Sequence, residues 1–187
     1  MGIFITFEGP DGCGKTSVIK LVADKLRNEG FDVVCTREPG GGNVSEQIRK
    51  VILDVNNKDM DYTTEALLYA ASRSQHLHDV VIPSLKDNKI VICDRFVDSS
   101  YVYQGFARNI GLDLVMNLNN LVVGEYMPNI TILIDLESLD FHKKVRNGYL
   151  SLAEMFKDRI RIVKGDQTLE NVYTDTYKII ESYIRGN

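Results

Sequence analysis

Five short runs of β-branched and aromatic residues recur along the chain: "GIFITFE", "DVVCTR", "KIVICD", "NITILID" and "RIRIVK". Each is bounded by polar or turn-forming residues and reads as a strand. Between them apolar positions return at helical spacing, predicting helices over residues 15–28, 45–54, 64–86, 112–123, 139–156 and 169–184. Strand and helix alternate, the rhythm of a parallel sheet covered by helices on both faces, which makes the fold class α/β. Thr63, Asp113 and Thr168 stand at helix starts as candidate caps. Pro10, Pro39 and Pro128 fall at junctions, whereas Pro83 falls inside a helical pattern and predicts a kink or break there. No repeat, low-complexity tract or linker divides the pattern, so residues 1–187 read as one domain.

Where the first strand ends, the chain spends three glycines in six residues. Gly9-Pro10-Asp11-Gly12-Cys13-Gly14-Lys15-Thr16 is a full G-x-x-x-x-G-K-[ST] match, placed after a strand and before a helix, with Ser17 next in line. Glycines admit backbone geometries that a Cβ would forbid, so successive N–H groups can turn onto a phosphate while the helix N-terminus adds its positive end. Lys15 then reaches the β- and γ-phosphates of a nucleoside triphosphate, and the Thr16 hydroxyl faces Mg²⁺. A tight glycine turn beside a solvated lysine is the bland alternative, and the flanking strand and helix argue against it.

Composition changes this picture only at the edges. A net charge of −4 and a sequence pI near 5.4 give no basic footprint, which argues against a nucleic-acid partner. Cys13, Cys35 and Cys93 are odd in number and form no CxxC pair, which suits reduced thiols in a cytoplasm better than a disulfide framework or a zinc site. No run is long and apolar enough for a membrane span, and no membrane partner is expected.

The complement of a phosphate loop is a hydrophobic strand ending in an acid, and "KIVICD" ends at Asp94, where a carboxylate could hold metal-bound water. Arg95 follows at once, and Arg37 ends the second strand on the same edge. Two arginines near one phosphate loop point to a second phosphate-bearing substrate, since guanidinium binds phosphate bidentately. A capping aspartate and surface ion pairs are the alternatives. A regulatory GTPase is disfavoured, because Asn57-Lys58-Asp59-Met60 puts methionine where the guanine-reading carboxylate belongs.

Four further blocks follow in order: "TREPGGG" (36–42), "ALLYAASRSQH" (66–76), "CDRFVDSSYVYQG" (93–105) and "FHKKVRNGYL" (141–150). Together they resemble the thymidylate kinases of the bacterial type over nearly the whole chain. The resemblance implies a three-layer P-loop fold of the nucleoside monophosphate kinase type with a five-stranded parallel sheet. It also implies transfer of the γ-phosphoryl group of ATP to dTMP, with Mg²⁺, in a homodimer. Catalytic roles fall by this resemblance to Lys15, Arg37, Asp94 and Arg95, and the acceptor phosphate to Arg37, Arg49 and Arg95. Tyr69 is implied to stack on thymine, where the family more often has phenylalanine. Arg73 lies four residues on, so both sit on one helix face, and as a donor-only group it favours thymine O4 over the cytosine amino group. Gln104 carries a donor and an acceptor for the N3–H side of the base. Asp11 is implied near the sugar 3′-hydroxyl, Tyr103 near C2′ and Ser100 beside the base, while "KGDQTLENV" (164–172) is placed against adenine.

One departure stands out. The family carries a basic, mobile lid after the fourth strand, yet here Asp135 runs directly into "LESLDF", so a lid segment is missing between 135 and 136. The phosphate loop also lacks the arginine that some members carry inside it. Two readings stay open: a thymidylate kinase to which further residues belong at that seam, or a catalytically impaired nucleotide-binding module.

Overall fold

The computed structural model describes residues 2–136 and 140–186, with the side chains of 140–142 excepted. Five strands, β1 (Ile3–Glu8), β2 (Val33–Arg37), β3 (Ile90–Asp94), β4 (Ile130–Asp135) and β5 (Ile160–Lys164), form one sheet in the order β2-β3-β1-β4-β5, every pairing parallel. All five fall on the runs predicted from sequence. Because side chains alternate along a strand, each strand feeds two cores. Ile5 and Phe7 of β1, Ile92 of β3 and Ile132 and Ile134 of β4 face helices α1 (Lys15–Asn28) and α8 (Leu169–Gly186). Phe4, Val91, Cys93 and Leu133 face the other layer. That layer includes α6 (Leu112–Val123) and α7 (Asp140–Met155). Among the described residues, no helix is long and apolar enough to cross a membrane.

Helix α1 occupies the predicted span. Helix α2 (Asn43–Leu53) starts two residues earlier than expected, because the Ser45 hydroxyl clips back onto Gly42, accepting from its N–H at 2.8 Å. The predicted helix over 64–86 is three pieces: α3 (Tyr62–His76), a π-helical segment over Leu77–Val81, and α4 (Ile82–Lys86). Pro83 therefore does not break the helix. A proline ring obstructs the preceding turn and removes one N–H, and the wider π turn lies just where that disturbance must be absorbed.

Two expected caps are corrected. Asp61, not Thr63, caps α3, its Oδ2 accepting from the Thr63 and Thr64 N–H groups at 2.9 and 3.2 Å. Gly111 with φ 105°, not Asp113, precedes α6, and Asp113 lies inside the first turn. Thr168 does cap α8, its Oγ1 accepting from Asn171 N at 3.3 Å. The expected start of the helix at 139 lies outside the described residues. Helical structure over 97–107 was not foreseen: α5 (Val97–Ser100) passes into a second π-helical segment, Tyr101–Ala107, closed by Arg108 N donating to Tyr103 O at 2.8 Å. Its buried residues, Tyr101, Val102, Gln104 and Gly105, mix apolar with polar and glycine positions, so hydrophobic periodicity does not mark it as a helix.

Asp61→Ala removes the acceptor for two otherwise unpaired N–H groups of α3. It should lower stability by about 1 kcal/mol, read as a lower urea midpoint at unchanged m-value.

Candidate functional site

The phosphate loop forms where β1 ends and α1 begins. Gly9 takes φ 139°, and a Cβ there would run into the Ile134 carbonyl oxygen of the neighbouring strand, so only glycine fits. Gly14, at φ 85°, starts α1 without any side-chain cap, and no acidic residue occupies the first turn. Ser17 N donates to Gly14 O at 3.1 Å, and the Lys15 and Thr16 N–H groups at the very start of the helix are left to an anion, which the helix dipole favours. Lys15 is buried against the loop, its Nζ donating to Gly9 O at 3.0 Å and Pro10 O at 2.9 Å, with Cys13 Sγ at 3.7 Å. Gly12, Gly14, Lys15, Thr16 and Ser17 line one cavity of about 320 Å³, together with Asp11, Asp94 and Arg95.

Asp94 reaches this cavity from the end of β3, in register with Phe7 of β1 and Arg37 of β2. Thr16 Oγ1 donates to Asp94 Oδ2 at 3.0 Å, so a hydroxyl and a carboxylate oxygen meet at the mouth of the loop. Among the described residues no cluster of three His, Cys, Asp or Glu forms a closed cage. Two hard oxygens beside a phosphate cradle fit Mg²⁺, which takes few protein ligands and fills its octahedron with phosphate oxygens and water.

A second cavity, of about 250 Å³, adjoins the first. Among its lining residues are Arg49, Tyr69, Arg73, Ser100, Tyr103 and Gln104, and it shares Asp11 and Arg95 with the phosphate-loop cavity. Arg95 sits on the seam between the two. Its backbone is left-handed, φ 69°, which turns the side chain off the strand direction. One guanidinium nitrogen meets Asp11 Oδ1 at 2.6 Å, and the other meets Ser99 Oγ at 3.1 Å and Tyr149 OH at 3.0 Å. Burial works against its charge, but Tyr149, Tyr103, Glu8 and Asp11 outweigh that and raise its pKa. The arginine stays a cation.

Arg73 is enclosed by the protein, 1% exposed. Its Nε donates to Glu38 Oε2 at 2.7 Å, Nη1 to Ser100 Oγ at 3.1 Å and to Asn119 Oδ1, and Nη2 to Phe96 O at 3.1 Å. Four of its five N–H groups are therefore engaged by protein. Glu38 is bound on its other oxygen by His76 Nδ1 at 2.9 Å, and His76 Nε2 meets Thr36 Oγ1 at 2.7 Å. Tyr69 is half-buried, and that desolvation raises its phenol pKa. Tyr103 is shifted the same way by burial, and its ring lies under the Arg95 guanidinium at 5.4 Å. Gln104 Nε2 donates to Glu65 Oε1 at 2.7 Å.

Arg49 and Arg37 part company. Arg49 Nη1 donates to Pro39 O at 2.6 Å and its side chain lines the second cavity. Arg37 stands on the ligand edge of the sheet as expected, yet it is 51% exposed, pairs with Glu46 at 2.8 Å and lines neither cavity. Glu46 takes it because the Gly41 N–H already fixes that carboxylate at 2.9 Å beside β2.

Several site residues escaped the sequence reading. Glu8, the last residue of β1, is buried and accepts from Phe96 N, Ser99 N, Ser99 Oγ and Tyr149 OH. Burial, then Asp98, raises its pKa, while Arg95 opposes the shift. Glu38 and His76 lie inside quoted blocks, but their partners are far away in sequence. Arg146 of α7 binds Asp135 through Nε at 2.6 Å and Nη2 at 2.8 Å, bringing a cation to the end of β4 that the sequence reading did not count.

A model of the family described as thymidylate kinase matches residues 7–138. The chain belongs to the thymidylate kinase family. A thymidylate kinase from Ligilactobacillus salivarius (strain UCC118) is 47% identical over 206 residues, covering 98% of this chain and 99% of the relative. One from Clostridium novyi (strain NT) is 46% identical over 196 residues, covering 93% and 96%. The crystal structure of thymidylate kinase from Ehrlichia chaffeensis superposes with a TM-score of 0.88 at 35% identity, covering 96% of this chain and 98% of that one. The resemblance read from the four sequence blocks thus holds, as does the P-loop kinase fold of thymidylate kinases. The alternative of a catalytically impaired module gains no support from these relatives.

Lys15→Met keeps the length and apolar stem of the side chain but withdraws its charge from the phosphate loop. The variant should fold, by circular dichroism, and lose roughly 10²–10³ in kcat; wild-type turnover would remove the loop lysine from the chemistry.

Proposed function

We propose that the two adjoining cavities hold the two substrates: ATP phosphates in the phosphate-loop cavity, dTMP in the cavity lined by Tyr69 and Arg73. The enzyme is a thymidylate kinase that transfers the γ-phosphoryl group of ATP to dTMP, giving dTDP, with Mg²⁺. The single observation that supports this placement is that Asp11 and Arg95 line both cavities. Acceptor and donor phosphates would meet at that seam, where positioning and charge stabilisation are the protein's main contributions to phosphoryl transfer.

In this reading Lys15 and the loop N–H groups orient the β- and γ-phosphates, and Arg95 with Arg49 holds the acceptor phosphate. Arg37 joins them only by leaving Glu46. Thr16 and Asp94 would hold Mg²⁺, which when bound neutralises charge on the phosphate oxygens. Tyr69 stacks on the base, Arg73 offers its remaining N–H toward O4, Ser100 fixes Arg73, and Tyr103 closes the space beside C2′. Asp11 approaches the 3′-hydroxyl while steering Arg95. The cytoplasm suits the three free thiols, Cys13, Cys35 and Cys93.

Two further features belong to the reading. The first is a lid between Asp135 and Leu136: alignment with a Bacillus licheniformis thymidylate kinase runs over 208 residues although this chain has 187, so the relative carries residues set against gaps here. The second is a homodimer, for which Leu114 and Leu121, seven apart and exposed on α6, offer an apolar stripe.

Arg95→Lys keeps the charge and loses the fork. It should lower kcat/KM for dTMP by roughly 10- to 100-fold while leaving ATP binding in place, measured by coupled assay and nucleotide titration. Native mass spectrometry should give a protomer heavier than the 21.1 kDa of the 187 residues, and complexes at twice the protomer mass; a 21.1 kDa protomer would make the shortened loop real.

A further inference from the structure

Glu65, Tyr69 and Arg73 recur every four residues along α3 and therefore share one face. Tyr69 and Arg73 line the nucleoside cavity. Glu65 lies at the head of the same stripe, in a compartment of about 270 Å³ that shares Leu53, Tyr69, Tyr103 and Gln104 with that cavity. There the Glu65 carboxylate accepts from two sides. Gln104 Nε2 donates to Oε1 at 2.7 Å, and Arg108 Nη2 donates to Oε2 at 3.3 Å. Arg108 is itself held over the Tyr62 ring, 4.7 Å from its centroid.

We propose that Glu65 is a positioning residue for base selection, fixing which end of the Gln104 amide faces the nucleobase. The inference rests on the reading above, that Gln104 reads the base. A primary amide is nearly symmetric in shape and opposite in chemistry at its two ends, so an unrestrained glutamine can turn over and present either a donor or an acceptor. A carboxylate only accepts, and it therefore takes the NH₂ end of Gln104 and rejects the carbonyl end. The carbonyl Oε1 is left for the cavity. Gln104 is buried, which leaves bulk solvent little access to reverse the choice.

The consequence is specific to one ring position. Thymine carries a hydrogen on N3 and can donate to Oε1; cytosine carries a lone pair there and would set acceptor against acceptor. Uracil has the same N3–H as thymine, so the fixed amide separates dTMP from dCMP and not dTMP from dUMP. A buried acceptor left facing another acceptor is what makes hydrogen-bonding sites discriminate more strongly than stacking or shape. Arg73, aimed at the group on C4, and Gln104, aimed at N3, then read neighbouring positions of one edge.

Glu65→Gln tests the assignment, because it keeps shape and changes only the donor pattern. Arg108 would claim the new amide's oxygen, leaving its NH₂ toward Gln104, which then turns its own NH₂ to the base. Steady-state kcat/KM is measured for dTMP, dUMP and dCMP. The expected result is a fall of about tenfold or more in the dTMP/dCMP ratio, with the dTMP/dUMP ratio unchanged. Gln104→Ala is measured alongside. An unchanged dTMP/dCMP ratio in Glu65→Gln with a changed one in Gln104→Ala would overturn the role of Glu65 while leaving Gln104 a base reader. Unchanged ratios in both would overturn the base-reading role as well. An equal loss on all three nucleotides in Glu65→Gln would reduce Glu65 to a structural residue and also overturn the proposal.

Discussion

A buried guanidinium is tolerable only if nearly every N–H is met, and Arg73 imposes that requirement on the side of the molecule that holds the second cavity. Its partners come from separate stretches: Glu38 after β2, Phe96 and Ser100 around α5, and Asn119 on α6. Losing one partner of such a buried pair typically costs about 3–5 kcal/mol. The apolar cores can place these elements to within a side chain's slack. The guanidinium fork sets them to hydrogen-bond tolerance, and through Glu38 the constraint passes on to His76 and Thr36.

The phosphate side is organised by the opposite condition. There α1 starts with no side-chain cap and no acidic residue in its first turn, and the positive-φ glycines keep the loop's backbone open to an anion. One half of the site is thus saturated before any ligand arrives, and the other is left wanting an anion. Arg95 joins the halves, held by Asp11 from the phosphate loop and by Tyr149 from α7. Glu8, just ahead of the loop, binds the chain at Phe96 and Ser99, so the phosphate loop and the arginine segment are fastened to each other beneath the site.

The strands and the phosphate loop were legible because they rest on local signals: alternation, β-branched runs and a fixed glycine spacing. Lys15, Thr16 and Asp94 follow from that motif alone. Tyr69, Arg73 and Gln104, which line one cavity and are proposed above to meet the base, needed the resemblance, since nothing in their spacing singles out a nucleobase. The misses share a cause. Glu38, His76, Glu65 and Arg108 act through contacts 27 to 46 residues distant or of similar reach, as Arg73 does with Ser100 and Asn119, and a single sequence gives no pairing. Arg37 was placed correctly on its strand edge, but its rotamer is decided by Glu46, a competitor that only folding brings near. The caps went wrong by a residue or two because Asp61 and Thr63 are equally good on paper, and backbone geometry makes the choice.

The π-helical segment after α3 has a bearing on how the cavity-lining side chains of α3 hold together. An α-helix turns about 100° per residue, so inserting or deleting one residue between 65 and 73 would swing part of the Glu65–Tyr69–Arg73 stripe out of the cleft. The wide turn that accommodates Pro83 begins at Leu77, beyond the last of the three. Its extra winding is discharged toward α4 and the start of β3, and the azimuth of the stripe is left untouched. The Glu65–Tyr69–Arg73 stripe therefore turns as a single rigid shaft, with the irregular winding confined to the end beyond the residues that line the cavities.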